Sequence, residues 1–584
     1  MFVAALFLSL IPFPTPALLQ ASESSLAPTA PVVLPTTPVA PTAPVLATDG
    51  FGAVCSSQVD ATQVGLDILE AGGNAVDAAI AVHFALAVTY PYAGNIGGGG
   101  FFLLRDADGE AWFLDFRETA PAAATSDMYL DADGNPVADW SRVGWKAVGV
   151  PGAVPGMWDA HQRWGKLPWK QLVEPAAALA REGYVLDAFE VNRLQKYGKS
   201  FKKDPLAAQL FFDDKGQPLQ AGSLLRQPEL AATLDTIAND GVDAMRSGAI
   251  VEELVAASIA GGGILSAEDF RDYQPQLRPV IRFDWQGREV IAASPPSSGG
   301  IFLQQVLTSL DGYPFQLWGF KDARSVQLIG EATSAAFRDR NKWLGDPAGR
   351  DFDLQALVDE DYLRERRRRL SATRYTRPDA KLPQPFAEHM ETTHFSVVDG
   401  DGAAVSCTTT LNGAFGAKVM APGGFVMNNE MDDFAAKPGE PNQFGLVQSA
   451  YNAVIAGRRP LSSMSPAIIV VDGAVDAVVG SPGGPTILTS VLQVILNRYE
   501  FGMSPYSSVA APRFHRQDLP PTIRFEPRRL SSPMRNAINA LGQPIKSRGP
   551  IGDVNAIFRT SKGWQAIADP RWSGGAGVIV TPAE

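Results

Sequence analysis

The chain is poor in sulfur and in histidine. Two cysteines, Cys55 and Cys407, occur in 584 residues, too few for a disulfide framework. Both stand in apolar, strand-like runs, the usual setting of buried free thiols. The five histidines are scattered, no two lie at metal-ligand spacing, and no His-Glu-x-x-His occurs, so neither a catalytic metal nor another cofactor is expected. A basic excess is missing too. Fifty Lys and Arg stand against 62 Asp and Glu, a net charge of −12, which leaves nothing to neutralise phosphates and argues against nucleic acid as a partner. The basic cluster Arg364-Glu365-Arg366-Arg367-Arg368-Arg369 reads as a solvated helix face. The apolar run from Met1 to Leu10, closed by Pro12, Pro14 and Pro16, falls short of the roughly 20 residues a membrane-spanning helix needs. Although no positive residue precedes the run beyond the N-terminus itself, residues 1–21 read as a secretory signal with a cleavage site at Leu19-Gln20-Ala21.

What is present describes a globular protein with ample core: 45% apolar and 19% charged residues. Residues 22–47, rich in Pro, Ala, Thr and Val, form an extended spacer. Export followed by such a spacer places the protein in the periplasm or outside the cell. Phe51 to Ser57 then reads as a strand. Asp60, Val64, Ile68, Leu69 and the stop Gly72-Gly73 give a first helix, and Asn74 caps a second that runs to about Val88. That second helix is apolar nearly all round and so must be buried between layers; its His83 reads as a core residue. Amphipathic helical stretches follow around 170–182, 227–238, 248–260 and 321–343, and residues 371–391 read as an exposed loop. Beyond it the pattern turns to strands at 392–398, 404–411, 424–428, 466–471 and 475–480, then to a helix over 484–499. On this reading the C-terminal part supplies the sheet and the N-terminal part the covering helices. Neither buries its apolar faces alone, which makes one intertwined unit.

The segment Glu391-Thr392-Thr393-His394-Phe395-Ser396 alternates at a period of two and opens a strand. After the turn Asp399-Gly400-Asp401-Gly402, the run Ala404 to Thr410 returns as its partner. Centring the hairpin on Asp401 sets Thr410 opposite Thr392, and a slip of one residue would move it to the other face. A threonine hydroxyl becomes a useful nucleophile when a base lies beside it. A threonine that begins a chain carries its own: an α-amine with a pKa of about 7.7–8.

Other motifs stand in order around this segment. Upstream are Asn95-Ile96-Gly97-Gly98-Gly99-Gly100-Phe101, Asp115-Phe116-Arg117-Glu118-Thr119-Ala120-Pro121 and Ser294-Pro295-Pro296-Ser297-Ser298-Gly299-Gly300. Downstream are Asn428 to Phe434, Arg459-Pro460-Leu461-Ser462-Ser463-Met464-Ser465-Pro466 and Gly480-Ser481-Pro482-Gly483-Gly484. From about Thr48 to the C-terminus the chain resembles the γ-glutamyltranspeptidases, self-cleaving members of the N-terminal-nucleophile hydrolases. The resemblance implies an α+β fold, a four-layer αββα sandwich. It also implies cleavage between Glu391 and Thr392 into a large subunit, 48–391, and a small one, 392–584, that stay together as a heterodimer.

The resemblance also assigns roles. Thr392 is the nucleophile, Thr410 bonds to its hydroxyl, and Gly483 and Gly484 form the oxyanion hole. Arg117, Ser462 and Ser463 take the substrate α-carboxylate, while Glu430, Asp433 and Asn412 take its α-ammonium; Asp432 receives no role. Residues 97–100 read as a tight backbone passage near the site. The stretch Pro438 to Gly445 matches the family's lid, with Phe444 where many bacterial relatives carry Tyr, which implies a looser lid and more hydrolysis relative to transfer. The implied donors are glutathione and other γ-glutamyl amides, and the acceptors water, amino acids and dipeptides. Two rivals remain: a glutaryl-cephalosporin-type acylase of the same superfamily, whose substrates lack the α-ammonium, and an uncleaved, inactive homologue acting as a binding protein. A conventional serine hydrolase is disfavoured because no Gly-x-Ser-x-Gly elbow occurs.

Overall fold

The computed structural model describes residues 45–46, 50–137, 139–348, 353–377 and 392–580. The signal segment, nearly all of the 22–47 spacer and Glu391 lie outside them.

Fourteen strands build the centre of the molecule. They are β1 (Val45–Leu46), β2 (Gly50–Ser56), β3 (Gly99–Arg105), β4 (Ala111–Asp115), β5 (Gln276–Arg278), β6 (Ile281–Trp285) and β7 (Arg288–Ala292), followed by β8 (Thr392–Asp399), β9 (Ala404–Thr410), β10 (Ala467–Val471), β11 (Ala474–Gly480), β12 (Asn555–Thr560), β13 (Gly563–Ala568) and β14 (Gly575–Val580). One seven-stranded sheet runs β14-β2-β8-β9-β3-β4-β5 and the other β1-β13-β12-β11-β10-β7-β6, every neighbour antiparallel. The sheets pack face to face: Ser406 on β9 donates to the Val479 carbonyl on β11, and His394 on β8 lies against Gly480, where a Cβ would come within 2.1 Å of the ring.

Helices cover both outer faces. Over the first sheet lie α1 (Val59–Glu70) and α2 (Ala75–Thr89), backed by α3 (Trp169–Glu182) and α4 (Pro228–Asp240). Over the second lie α5 (Gly299–Leu310), α6 (Ala323–Trp343) and α7 (Thr486–Ile495). The result is the four-layer αββα sandwich that the resemblance implies. Among the described residues no helix is long and apolar enough to cross a membrane.

Helix α2 begins as the sequence predicts. The Asn74 side chain accepts from the N–H groups of Val76 and Asp77, and Asp77 returns a bond to the Asn74 N–H, closing a capping box. All fifteen of its residues are buried between α3 and the first sheet. His83 sits there among Phe84, Phe116 and Phe395, and burial lowers its pKa to about 4, so the ring is neutral.

Two expectations need correction. The N-terminal part supplies more than helices: β1–β7 come from it and β8–β14 from the C-terminal part, with the β8–β9 hairpin inserted between β2 and β3. The open edges of a hairpin are satisfied only by strands on both sides, and here the other half of the chain provides them. The expected strand over 424–428 is reduced to isolated bridges, Met420↔Val426 and Gly97↔Met427, because the turn at Gly424 (φ +82°) folds the segment back on itself. The Gly97–Gly100 passage is explained by contact with β9: a Cβ on Gly98 would lie 2.1 Å from the Thr410 carbonyl oxygen, and one on Gly100 2.4 Å from that of Thr408.

Candidate active site

The β8–β9 ladder holds the predicted register. Thr392 faces Thr410, and their hydroxyl oxygens are 3.1 Å apart. Thr410 is fixed from two more directions. Its Oγ1 accepts the Asn412 N–H at 2.8 Å, and its carbonyl accepts from Asn95 at 3.0 Å. The next residues of β8 are anchored as firmly. Thr393 donates to Ser57, which donates to Asp553, and His394 bonds to Thr408, its cross-strand partner on β9, at 2.8 Å. Burial lowers the His394 pKa to about 3, which leaves a neutral packing residue and not a base.

A compact charged corner lies beside this pair. Arg117, fully buried just after β4, places Nη1 2.7 Å from Glu430 and Nη2 2.5 Å from Asp433, while Nε donates to the Pro460 carbonyl at 2.7 Å. Burial alone would disfavour the Arg117 charge; Glu430, Asp433 and Glu118 outweigh it and hold its pKa above the ordinary value. Burial also pushes the carboxyl groups of Glu430 and Asp433 above the usual range, against the opposing pull of Arg117. Asn412 adopts a left-handed backbone (φ +67°) and donates to the Asn429 carbonyl at 2.9 Å.

Two neighbours of this corner have no role in the sequence reading, which passes over Arg340 and leaves Asp432 unassigned. Arg340, on α6, donates to Ser298 Oγ at 3.1 Å and to Ser463 Oγ at 3.0 Å. Its signal was an arginine on the same helical face as the buried Thr333, Ala336 and Phe337. Asp432 accepts from Ser141 Oγ at 2.5 Å and from the Gln443 N–H at 3.1 Å, and burial raises its pKa to about 7. It thereby ties the 438–445 stretch to the segment around Ser141; no local sequence pattern reveals that partner.

On the opposite wall are Gly483 (φ +133°) and Gly484 (φ +54°), conformations that glycine adopts without strain. Among the described residues neither N–H has a protein acceptor, while both carbonyls are used by the first turn of α7. Phe444 is buried against Gly484, where a Cβ would lie 3.1 Å from its ring. Ser462 accepts the Met464 N–H at 3.1 Å. One cavity is lined by Thr392, Thr410 and Asn412, by Arg117, Glu430 and Asp433, and by Ser462, Ser463, Phe444 and Gly484. Of the residues to which the resemblance gives a part in catalysis, substrate binding or cleavage, Gly483, one position from that wall, and Glu391, outside the described residues, are the two not among its lining. Hydroxyl pair, charged corner and unused N–H group on one cavity suit acyl transfer from a substrate bearing both charges.

Comparison with known proteins agrees with this geometry. The gamma-glutamyltranspeptidase family model matches residues 61–579. A glutathione hydrolase proenzyme of Pseudomonas sp. (strain A14) is 44% identical over 527 residues, 90% of this chain and 92% of that relative. A gamma-glutamyltranspeptidase structure from Pseudomonas nitroreducens is 39% identical with a TM-score of 0.52, covering 54% of this chain and 93% of that one. A cephalosporin acylase structure from Bacillus halodurans has a TM-score of 0.80 at 24% identity, over 97% of this chain and all of that one, a likeness of fold.

Proposed function

The chain belongs to the γ-glutamyltranspeptidase family, and we propose that it cleaves the γ-glutamyl amide of glutathione and related compounds through an ester on Thr392. The observation that carries this assignment is the Thr392–Thr410 hydroxyl pair on a cavity that also presents Arg117, Glu430 and Asp433.

The chain first cuts itself. Thr392 Oγ adds to the Glu391 carbonyl, the Glu391–Thr392 C–N bond breaks with a proton passing to its nitrogen, and water opens the resulting ester. The large chain then ends at Glu391 and the small one begins at Thr392, the two remaining as a heterodimer. The name proenzyme borne by the relative supports such maturation. The freed α-amine is the base for catalysis.

A donor presents its α-carboxylate to Arg117, Ser462 and Ser463 and its α-ammonium to Glu430 and Asp433, with Asn412 as a neutral helper. Both ends of the zwitterion thus exchange into an arrangement in which opposite charges already face one another. Thr392 Oγ attacks the γ-carbonyl, and the N–H groups of Gly483 and Gly484 receive the developing oxyanion. Losing one such donor typically costs on the order of 100–1,000-fold in rate. The amine leaves protonated, and water, an amino acid or a dipeptide amine takes the acyl group, so ping-pong kinetics result. The acidic groups at 430 and 433 favour γ-glutamyl over glutaryl substrates, which have no ammonium to pair with them. The apolar run at the N-terminus and its cleavage site support export to the periplasm or beyond.

N-terminal sequencing of the purified protein tests the reading. Two chains are expected, one beginning Thr-Thr-His-Phe, with turnover of γ-glutamyl anilide faster than that of glutaryl anilide. Thr392→Ala should leave one uncut chain without activity. An uncut yet active wild-type protein would sink the assignment.

A further inference from the structure

Burying a lone cation is costly, and buried arginines ordinarily carry a carboxylate partner. Arg117 has two. Arg340, 2% exposed and lining the same cavity, has none within ion-pair distance among the described residues. Its donors go to neutral acceptors instead: Nε to Ser298 Oγ at 3.1 Å, Nη1 to Asn341 Oδ1 at 3.1 Å and Nη2 to Ser463 Oγ at 3.0 Å. Asp433 acts on it only through space, and burial, together with Arg117, lowers its pKa to about 10, a group still charged at neutral pH.

The bond to Ser463 has a directional consequence. A hydroxyl has one proton, and guanidinium only donates. Ser463 Oγ therefore receives a bond from Arg340, and its own proton must point elsewhere; among the described residues it has no acceptor. Ser298 acts as a relay, accepting from Arg340 and donating to the Ser462 carbonyl at 2.7 Å, and its N–H reaches the same carbonyl at 2.9 Å. One side chain of α6 thus holds both members of the Ser462–Ser463 pair.

We propose that Arg340 is a positioning residue for the donor's α-carboxylate: it turns the Ser463 hydroxyl into a dedicated donor toward the cavity and adds a second positive charge behind it. This rests on the proposed reading of the site. It explains why the cavity holds an arginine not neutralised by a carboxylate, in addition to one that is.

The experiment compares two substrates, L-γ-glutamyl-p-nitroanilide and 4-aminobutyryl-p-nitroanilide, which lacks only the α-carboxylate. Arg340→Lys and Arg340→Met should raise KM for the γ-glutamyl substrate roughly 10–100-fold, the worth of a hydrogen bond to a charged group, with kcat little changed. Turnover of the 4-aminobutyryl substrate should hold, so the preference between the two shrinks by the same factor. Ser298→Ala, which removes the Nε acceptor and the hydroxyl bond to the Ser462 carbonyl but leaves the Arg340–Ser463 bond in place, should shrink it in smaller measure. Equal losses on both substrates, an unchanged preference, or Arg340 variants that stay uncut would each overturn the proposal and assign Arg340 to folding alone. Wild-type protein inactive on γ-glutamyl anilide would instead defeat the underlying reading of the site.

Discussion

Arg117 gives one nitrogen to Glu430 and another to Asp433, so the proposed donor site is a network of charges already balanced against one another. Removing one charge from such a network leaves its neighbours uncompensated, and truncating a buried charge pair typically costs 2–5 kcal/mol or more. Asp433→Asn keeps the shape and removes the charge. Its kcat/KM on γ-glutamyl anilide is expected to fall by about 100-fold or more, with a smaller loss on glutaryl anilide, which has no ammonium to miss the carboxylate. Equal losses on the two substrates would mean that Asp433 holds Arg117 in place and does not read the ammonium. The same residues set an acid limit. Burial raises the pKa of both Glu430 and Asp433, so on lowering the pH they take up protons before an ordinary carboxylate would. Donor KM should therefore rise on acidification from neutrality, while the KM of a glutaryl substrate rises less, as steady-state profiles on the two anilides will report.

At the scale of elements, the 438–445 stretch is closed on itself by backbone bonds, Gly439 N–H to the Gln448 carbonyl and Asn442 N–H to the Leu446 carbonyl among them, with a bridge between Pro441 and Val447. The Asn442 side chain accepts the N–H groups of Phe444 and Leu446, and Asp432 accepts that of Gln443. Phe444 adds packing against Gly484 and no hydroxyl. If the 438–445 stretch acts as the lid that the resemblance implies, Phe444→Tyr should raise the transfer-to-hydrolysis ratio in a dipeptide acceptor assay by giving it a polar anchor; an unchanged ratio would show that the missing hydroxyl does not set that balance. Asp432→Ala should speed proteolytic cutting within 438–445, because the Gln443 N–H loses its acceptor. What could be read from the sequence follows from how local each cause is. The β8–β9 register was legible because alternation and a turn centred on Asp401 fix it within twenty residues. The Asn74 cap was legible because its partners are Val76 and Asp77. The contacts of Arg340 and Asp432 were not, since their partners Ser463 and Ser141 come from segments far along the chain; Arg340 sits in no motif, and the motif around Asp432 says nothing of Ser141. The interleaving of β1–β7 with β8–β14 was hidden for the same reason: strand periodicity reports a face, not a neighbour.

For the whole molecule, that interleaving joins the two halves in both sheets, so heat should unfold them in one transition rather than two. Its pH dependence follows from buried groups of two kinds. Burial lowers His83 and His515 to about 4 and His394 to about 3, so each gains stability as pH rises toward the unfolded-state value near 6.5 and adds nothing further above it. Burial raises Asp432 and Asp553 to about 7 and Glu190 to about 8, so their contribution is complete below an ordinary carboxylate pKa and is lost as pH climbs to those values. Each group changes stability by about 1.4 kcal/mol per pH unit within its window. Glu118, raised to about 8, and Glu430 and Asp433, also raised by burial, fall in the same way, so between about pH 4.5 and 6.5 the falling acids outnumber the three rising histidines and Tm should decline gently. Above pH 6.5 the histidines have nothing more to give while the acids continue to ionise, so Tm should fall more steeply until about pH 7, where Lys418, lowered to about 7 by burial, begins to offset the acids that remain. Scanning calorimetry across that range checks the asymmetry. Asp553→Asn, which cannot ionise, should reduce the decline while leaving the other raised acids, Glu118, Glu190, Glu430, Asp432 and Asp433, to account for the remainder. A decline of the same size in that variant would mean that Asp553 is not among the groups that ionise in this range.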